Sequence, residues 1–156
     1  MAETRVAELE TDAEWDAAVP ILRQLWTDAD EEFVYSWADE EDYRLYGLYT
    51  ENGVEAENGA GVEDGAPDEQ LVAVAGISVQ RVVHHARHAW IHDFVVDEAH
   101  RGQGYGAELL SFVKSWAEER DCEYVELAVV EGNDAALDFY ESEGMEEWGS
   151  IVETEL

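Results

Sequence analysis

Positive charge is what this 156-residue chain has least of: eight Lys+Arg stand against 39 Asp+Glu, a formal net charge of −31 at pH 7. Such a surface repels polyanions, which excludes DNA, RNA and anionic membrane as the main partner. Cysteine occurs once, at Cys122, so neither an internal disulfide nor a cysteine-built zinc site can form. Apolar runs stop well short of the roughly 18–20 residues that cross a bilayer. The opening MAETRVAELE carries no apolar core of an export signal. A cytoplasmic setting is therefore expected. What the chain does have is material for a core: 46% hydrophobic content, with six Trp, seven Tyr and four Phe. That suits one folded domain over residues 1–156 and argues against disorder of the whole chain.

The acids are spread from Glu3 to Glu155 rather than gathered in one tract, and Lys114 is the single lysine while arginine is kept at seven positions. A basic ligand would draw carboxylates to one face and gives no reason to remove lysine everywhere. Concentrated salt does give one, because hydrated carboxylates compete for water and the Debye length shrinks to about 3 Å at 1 M. Adaptation to a salt-rich cytoplasm is therefore expected.

Only one stretch resembles low complexity, the acidic, Gly-rich segment 50–70, which reads as a loop or hairpin tip within the domain. Strands are expected at Thr4–Leu9, Tyr43–Tyr49, Leu71–Val79, Ala89–Val96, Tyr124–Val130 and, closing the chain, Met145–Thr154. Thr11 and Glu14 form a capping-box pattern ahead of a helix that should kink or split at Pro20. A short helix at Asp30–Trp37 and longer ones at Gly104–Glu119 and Asn133–Glu141 follow from apolar residues at helical spacing. The order β-α-α-β-β-β-α-β-α-β predicts an α/β fold, a mixed sheet with helices on both faces.

Chemistry concentrates in IHDFVVDEAHRGQGYGAELL, which begins at Ile91. Gly102, Gly104 and Gly106 strip side chains from the point where the chain enters a helix. Free N–H groups there, with the positive end of the helix dipole, make a seat for phosphate. The spacing GxGxG is not the GxGxxG of dinucleotide folds, and the Gly-Lys-Ser/Thr of a Walker loop is missing.

On these residues the chain resembles the GNAT superfamily of acetyl-CoA-dependent N-acetyltransferases. The family pattern [Arg/Gln]-x-x-Gly-x-[Gly/Ala] matches at Arg101, Gly104 and Gly106. A second block, Asn-x-x-Ala-x-x-Phe-Tyr followed by Gly and an apolar residue, matches at Asn133, Ala136, Phe139, Tyr140, Gly144 and Met145. The resemblance implies acetyl-CoA as co-substrate and a primary amine as acceptor, and it is compatible with a homodimer. Backbone groups of Phe94, Val95 and Val96 would hold the pantetheine arm. Arg101, Gly102, Gln103, Gly104, Tyr105, Gly106 and Ala107 would form the pyrophosphate loop, and Asn133 would touch the coenzyme. Tyr140 would be the general acid that protonates the leaving thiolate, a role suited to a phenol with an ordinary pKa near 10.

The attacking amine must be neutral, so a base is needed. Where the similar diamine acetyltransferases carry Glu-Asp, this chain has His92-Asp93. Both are candidate bases, and His92 takes the Glu position. Strict strand alternation would send the two to opposite faces. A metal site is not expected: all five His fall between His84 and His100, but His88 and His92 lie about 13 Å apart along a strand. The competing reading is a non-catalytic acyl-CoA-binding regulatory module, for which the replaced Glu position speaks.

Overall fold

The computed structural model describes residues 3–51, 69–82 and 86–156. Most of the 50–70 loop, together with His84 and His85, lies outside the described residues. Both ends of that loop belong to strands: Thr50 and Glu51 close one strand and Glu69 and Gln70 open the next.

Five strands form one sheet in the order β1-β2-β3-β4-β5: Thr4–Glu8, Arg44–Glu51, Glu69–Val82, Ala86–Val96 and Tyr124–Leu127. The first four are antiparallel neighbours, and β4–β5 is parallel. The expected mixed sheet is therefore what forms. Helices α1 (Asp12–Leu25) and α2 (Glu31–Ser36) cover one face. There Trp15, Ala18, Val19, Leu22 and Val34 pack on Leu45, Leu71, Val74 and Val95. Helix α3 (Tyr105–Glu119) packs Leu109, Leu110, Val113 and Trp116 on Leu48, Val72, Ile77 and Ile91 of the other face. Tyr140 of α4 (Asp134–Ser142) joins that second cluster.

Local chemistry explains the boundaries. Thr11 and Glu14 make the capping box the sequence indicates, with Glu14 N to Thr11 Oγ1 at 3.2 Å and Thr11 N to Glu14 Oε1 at 2.9 Å. Helix α1 runs on through Pro20 and does not split there. Pro20 is exposed, so the carbonyl it leaves without a helical donor can be served by water. The closing strand at Met145–Thr154 is absent: residues 145–156 form neither helix nor strand. Apolar residues there fall at 145, 148, 151 and 152, a spacing that does not alternate and gives a strand no face to bury. Met145 packs on the core, while Ile151 and Val152 are exposed. Strand β5 also stops at Leu127, three residues short of the expected end at Val130.

Helix α3 is fastened to the sheet by one buried polar contact, Trp116 Nε1 donating to Tyr46 Oη at 2.8 Å. Tyr46→Phe leaves that indole N–H buried without its acceptor, so we expect a loss of about 1–3 kcal/mol in denaturant unfolding.

Candidate active site

The site begins with a slip in the β3–β4 ladder. Gly76 pairs with Asp93 and Ile77 with Ile91, so His92 has no partner on β3 and forms a bulge. Alternation changes phase there. Ala89 and Ile91 point to the α3 side before the bulge, Phe94 and Val96 point to it afterwards, and Val95 packs on the α1–α2 side. Strict alternation would separate His92 from Asp93; the bulge instead brings both against Tyr43. The Tyr43 ring lies 5.6 Å from the His92 ring, and its hydroxyl donates to Asp93 Oδ2.

The same slip opens the sheet. Pairing of β4 with β5 covers only His88–Ile91 against Tyr124–Leu127. Beyond Ile91, Phe94, Val95 and Val96 have no strand on the β5 side among the described residues, and Ala128–Val130 turn away as coil. Into this gap opens a cleft of about 70 Å³ lined by Trp26, His92, Phe94, Asn133 and Tyr140, among others. Residues from four elements distant in sequence thus meet at one opening.

The glycine loop follows the end of β4, after Val96. Gly102 (φ 81°) and Gly104 (φ 91°) take left-handed backbone, and Gly104 is the N-cap of α3. It has no side chain to cap the helix, so the first-turn N–H groups face outward for a ligand or water. Gly106 is a close approach: a Cβ there would stand 3.3 Å from Phe139 and 3.6 Å from Val96. Gly102 and Gln103 are exposed, with Tyr105 and Ala107 half-buried beside them. Arg101 folds back instead of reaching outward. Its Nε donates to Val96 O at 2.9 Å and its Nη2 to Gln24 Oε1 at 3.4 Å. Nothing in the sequence pattern marks Gln24 as part of the site. Its amide also donates to Asp97 Oδ1 at 2.9 Å and its carbonyl accepts from Glu98 N at 2.9 Å, tying α1 to the loop.

Asn133 caps α4, accepting from Ala136 N at 3.2 Å, so its carbonyl oxygen is already used in folding. Tyr140 is buried with its ring edge-on to Phe94 (6.0 Å) and Phe139 (5.1 Å), and burial pushes its phenol up to about 12. His92 Nε2 lies 2.8 Å from Ser78 Oγ, and burial lowers its pKa, with the charge of Asp93 pulling the other way. Asp93 is only 4% exposed, and its two carboxylate oxygens accept from Trp26 Nε1 and Tyr43 Oη. Burial raises its pKa while those two hydrogen bonds and His92 oppose the rise. With both oxygens engaged, Asp93 is poorly placed to take a proton from a ligand. Tyr43 and Ser78, which carry much of this geometry, sit in strand-like sequence that gave no sign of it.

The family model for the acetyltransferase (GNAT) family matches residues 22–145. The chain belongs to the GNAT family. No curated protein matches it at a significant level. Solved acetyltransferase structures share its fold at low identity. An aminoglycoside N-acetyltransferase, AAC(6')-Iy, in complex with CoA superposes with a TM-score of 0.77 at 12% identity, covering 100% of this chain and 96% of that one. An aminoglycoside acetyltransferase from an uncultured soil metagenomic sample, in complex with trehalose, gives 0.67 at 17%, covering 98% and 95%. A ribosomal-protein-alanine N-acetyltransferase from Brucella melitensis biovar Abortus 2308 gives 0.69 at 17%, covering 99% and 99%. In this GNAT chain the cleft brings Trp26, His92, Phe94, Asn133 and Tyr140 to one opening.

Gly104→Ala would force a side chain into φ 91°, where no other atom lies within 4 Å, so the penalty is pure backbone strain. We expect a loss of about 1–2 kcal/mol in unfolding at fixed salt. Gly149→Ala, with ordinary φ and equally open space, should be neutral by the same measurement.

Proposed function

We propose that this is a cytoplasmic N-acetyltransferase that moves acetyl from acetyl-CoA to a primary amine by direct attack. The observation that carries the reading is the cleft itself: a half-buried imidazole and a buried phenol line one opening beside an unpaired strand edge and a helix N-terminus. The parts divide by chemistry. The N–H groups from Arg101 to Ala107 would take the pyrophosphate, and the β4 edge at Phe94–Val96 would take the pantetheine arm. The nitrogen then attacks the thioester carbonyl, whose oxygen is polarised by a backbone N–H of the bulged strand.

Two proton movements complete the reaction. His92 is the better base: burial lowers its pKa and so favours the neutral imidazole, ready to take a proton from the acceptor's ammonium, directly or through water, so that the neutral amine can attack. Asp93 is set aside because its oxygens are held by Trp26 and Tyr43. When the C–S bond breaks, Tyr140 gives its proton to the thiolate. A phenol near 12 is a weak acid, but the same burial raises the proton affinity of a thiolate expelled beside it. The acceptor is an amine; its wider structure is set by residues around Trp26 and Tyr43, outside the motifs that define the family.

The charge belongs to this reading too. A net −31 would repel polyanionic coenzyme A in dilute buffer, whereas in molar salt that repulsion is screened and the loop contacts still act. We infer adaptation to a salt-rich cytoplasm, supported by acids dispersed over the exposed surface and by ion pairs such as Arg44–Glu8 that lie at the surface and contribute little.

An amine panel assayed for acetyl-CoA-dependent thiol release in molar KCl tests the activity. Coenzyme binding without thiol release from any amine would select the regulatory-module reading instead. Tyr140→Phe should lower turnover by roughly 10²–10⁴-fold while coenzyme affinity, read by calorimetry, stays nearly unchanged. In the pH profile the acid limb should fall below the ordinary histidine value of about 6.5, and Tyr140 should impose no alkaline limb below about pH 10. Unfolding followed against KCl should show stability rising with salt; full stability in dilute buffer would contradict the salt reading.

A further inference from the structure

The residue beside the base is a carboxylate that the reaction, as just described, does not use. It is also the costliest group in the neighbourhood. Asp93 is 4% exposed, and a carboxylate taken from water costs several kcal/mol unless hydrogen bonds replace its hydration. Here the replacement is specific. Trp26 Nε1, at the end of α1, donates to one oxygen, and Tyr43 Oη, at the start of β2, donates to the other. Trp26 can only donate, so it favours the ionised acceptor.

The backbone makes room for this arrangement. A Cβ on Gly76, the residue paired with Asp93, would stand 2.2 Å from Tyr43 Oη and 2.6 Å from Asp93 Oδ2. Tyr43 in turn is held between Trp15 (6.2 Å) and Trp37 (6.1 Å), and its other contact is the His92 ring. The opposite side of His92 is fixed by Ser78 Oγ, 2.8 Å from Nε2. In the tautomer that donates Nε2–H to Ser78, Nδ1 keeps the lone pair that a base requires.

Resting on the acetyltransferase reading, we propose that Asp93 is a positioning residue. Clamped by Trp26 and Tyr43, it places His92 through the shared Tyr43 contact and stabilises, by its buried charge, the imidazolium that forms when His92 accepts the proton. The other titratable groups around the imidazole are Tyr43, which donates to Asp93, and Tyr140, which lines the same cleft. Both are phenols that burial keeps protonated and neutral, so Asp93 supplies the negative charge His92 experiences at close range. The proton goes from the amine to His92, and Asp93 neither gives nor takes one.

Asp93→Asn is the informative variant, because the amide keeps the shape and can accept from Trp26 and donate to Tyr43 Oη. His92 is followed by NMR titration of its imidazole, assigned by the signal lost in His92→Gln, at fixed KCl concentration. In Asp93→Asn we expect His92 to titrate at lower pH than in the wild type, and the acid limb of kcat/KM to move down with it. At neutral pH kcat should fall about tenfold or more, with coenzyme affinity changed less than about twofold. Asp93→Ser, which removes the same charge but keeps a small polar side chain, should shift His92 the same way, and it keeps the test decisive if the amide variant does not fold. Titration of His92 at an unchanged or higher pH in these variants overturns the proposal. If the wild type releases no thiol with any amine, the acetyltransferase reading fails alone, since the NMR comparison still decides whether Asp93 governs His92.

Discussion

A single unpaired residue in β4 sets the geometry on which the rest depends. Strand pairing would otherwise run straight, and His92 and Asp93 would fall on opposite faces of a closed sheet. Because His92 is the extra residue, the faces exchange at that point: Ala89 and Ile91 before it and Phe94 and Val96 after it all reach the α3 side. Bulges bend a strand and increase its twist. Pairing with β5 ends at Ile91, one residue before the bulge, and the strand edge needed to hold an extended ligand appears directly after it. One local irregularity therefore both opens the cleft and brings the two ionisable side chains together.

That irregularity is held by packing from both sides. The α1–α2 layer supplies Trp26 and the Trp15–Tyr43–Trp37 cluster, while the α3–α4 layer supplies Phe139 and Tyr140. The C-terminal end of α1 serves both ends of the site within three residues. Gln24 anchors the glycine loop through Asp97, Glu98 and Arg101, and Trp26 anchors Asp93. A shift of α1 would thus be felt at the glycine loop and at Asp93 together, since Gln24 and Trp26 hold both from one helix end.

The parts legible in the sequence were those written in local chemistry. Glycines 102, 104 and 106 ahead of an amphipathic stripe announce a helix with an open N-terminus, and two of them adopt the left-handed backbone that only glycine takes easily. The capping box at Thr11, the α3 stripe and the sheet class were equally readable. The parts that were not legible depend on pairing. Nothing in IHDF marks His92 as the residue that loses its partner, because a bulge is a relation between two strands. Tyr43 reads as an ordinary strand aromatic, and only its meeting with Asp93, 50 residues away, gives it a site role. The closing strand failed for a related reason: β-rich composition at 145–154 is not alternation, and without one face to bury an edge strand gains little.

Electrostatics at two length scales now pull in opposite directions in this molecule. At long range, the −31 charge opposes the approach of any polyanion, and its reach is set by the solvent rather than by the fold. At short range, the open first turn of α3 presents N–H groups whose attraction acts over one or two bond lengths and is little affected by salt. The charge of buried Asp93, beside the half-buried His92, belongs to the short-range class as well, since charges out of water are screened much less than those at the surface. Added salt therefore weakens the repulsion faster than it weakens the contacts. A chain built this way can carry an acidic surface suited to its solvent and still bind an anion, provided that every attractive group is a backbone N–H or a buried side chain. Arg101, beside the glycine loop, is exposed, but its Nε and Nη2 are already engaged by Val96 O and Gln24 Oε1.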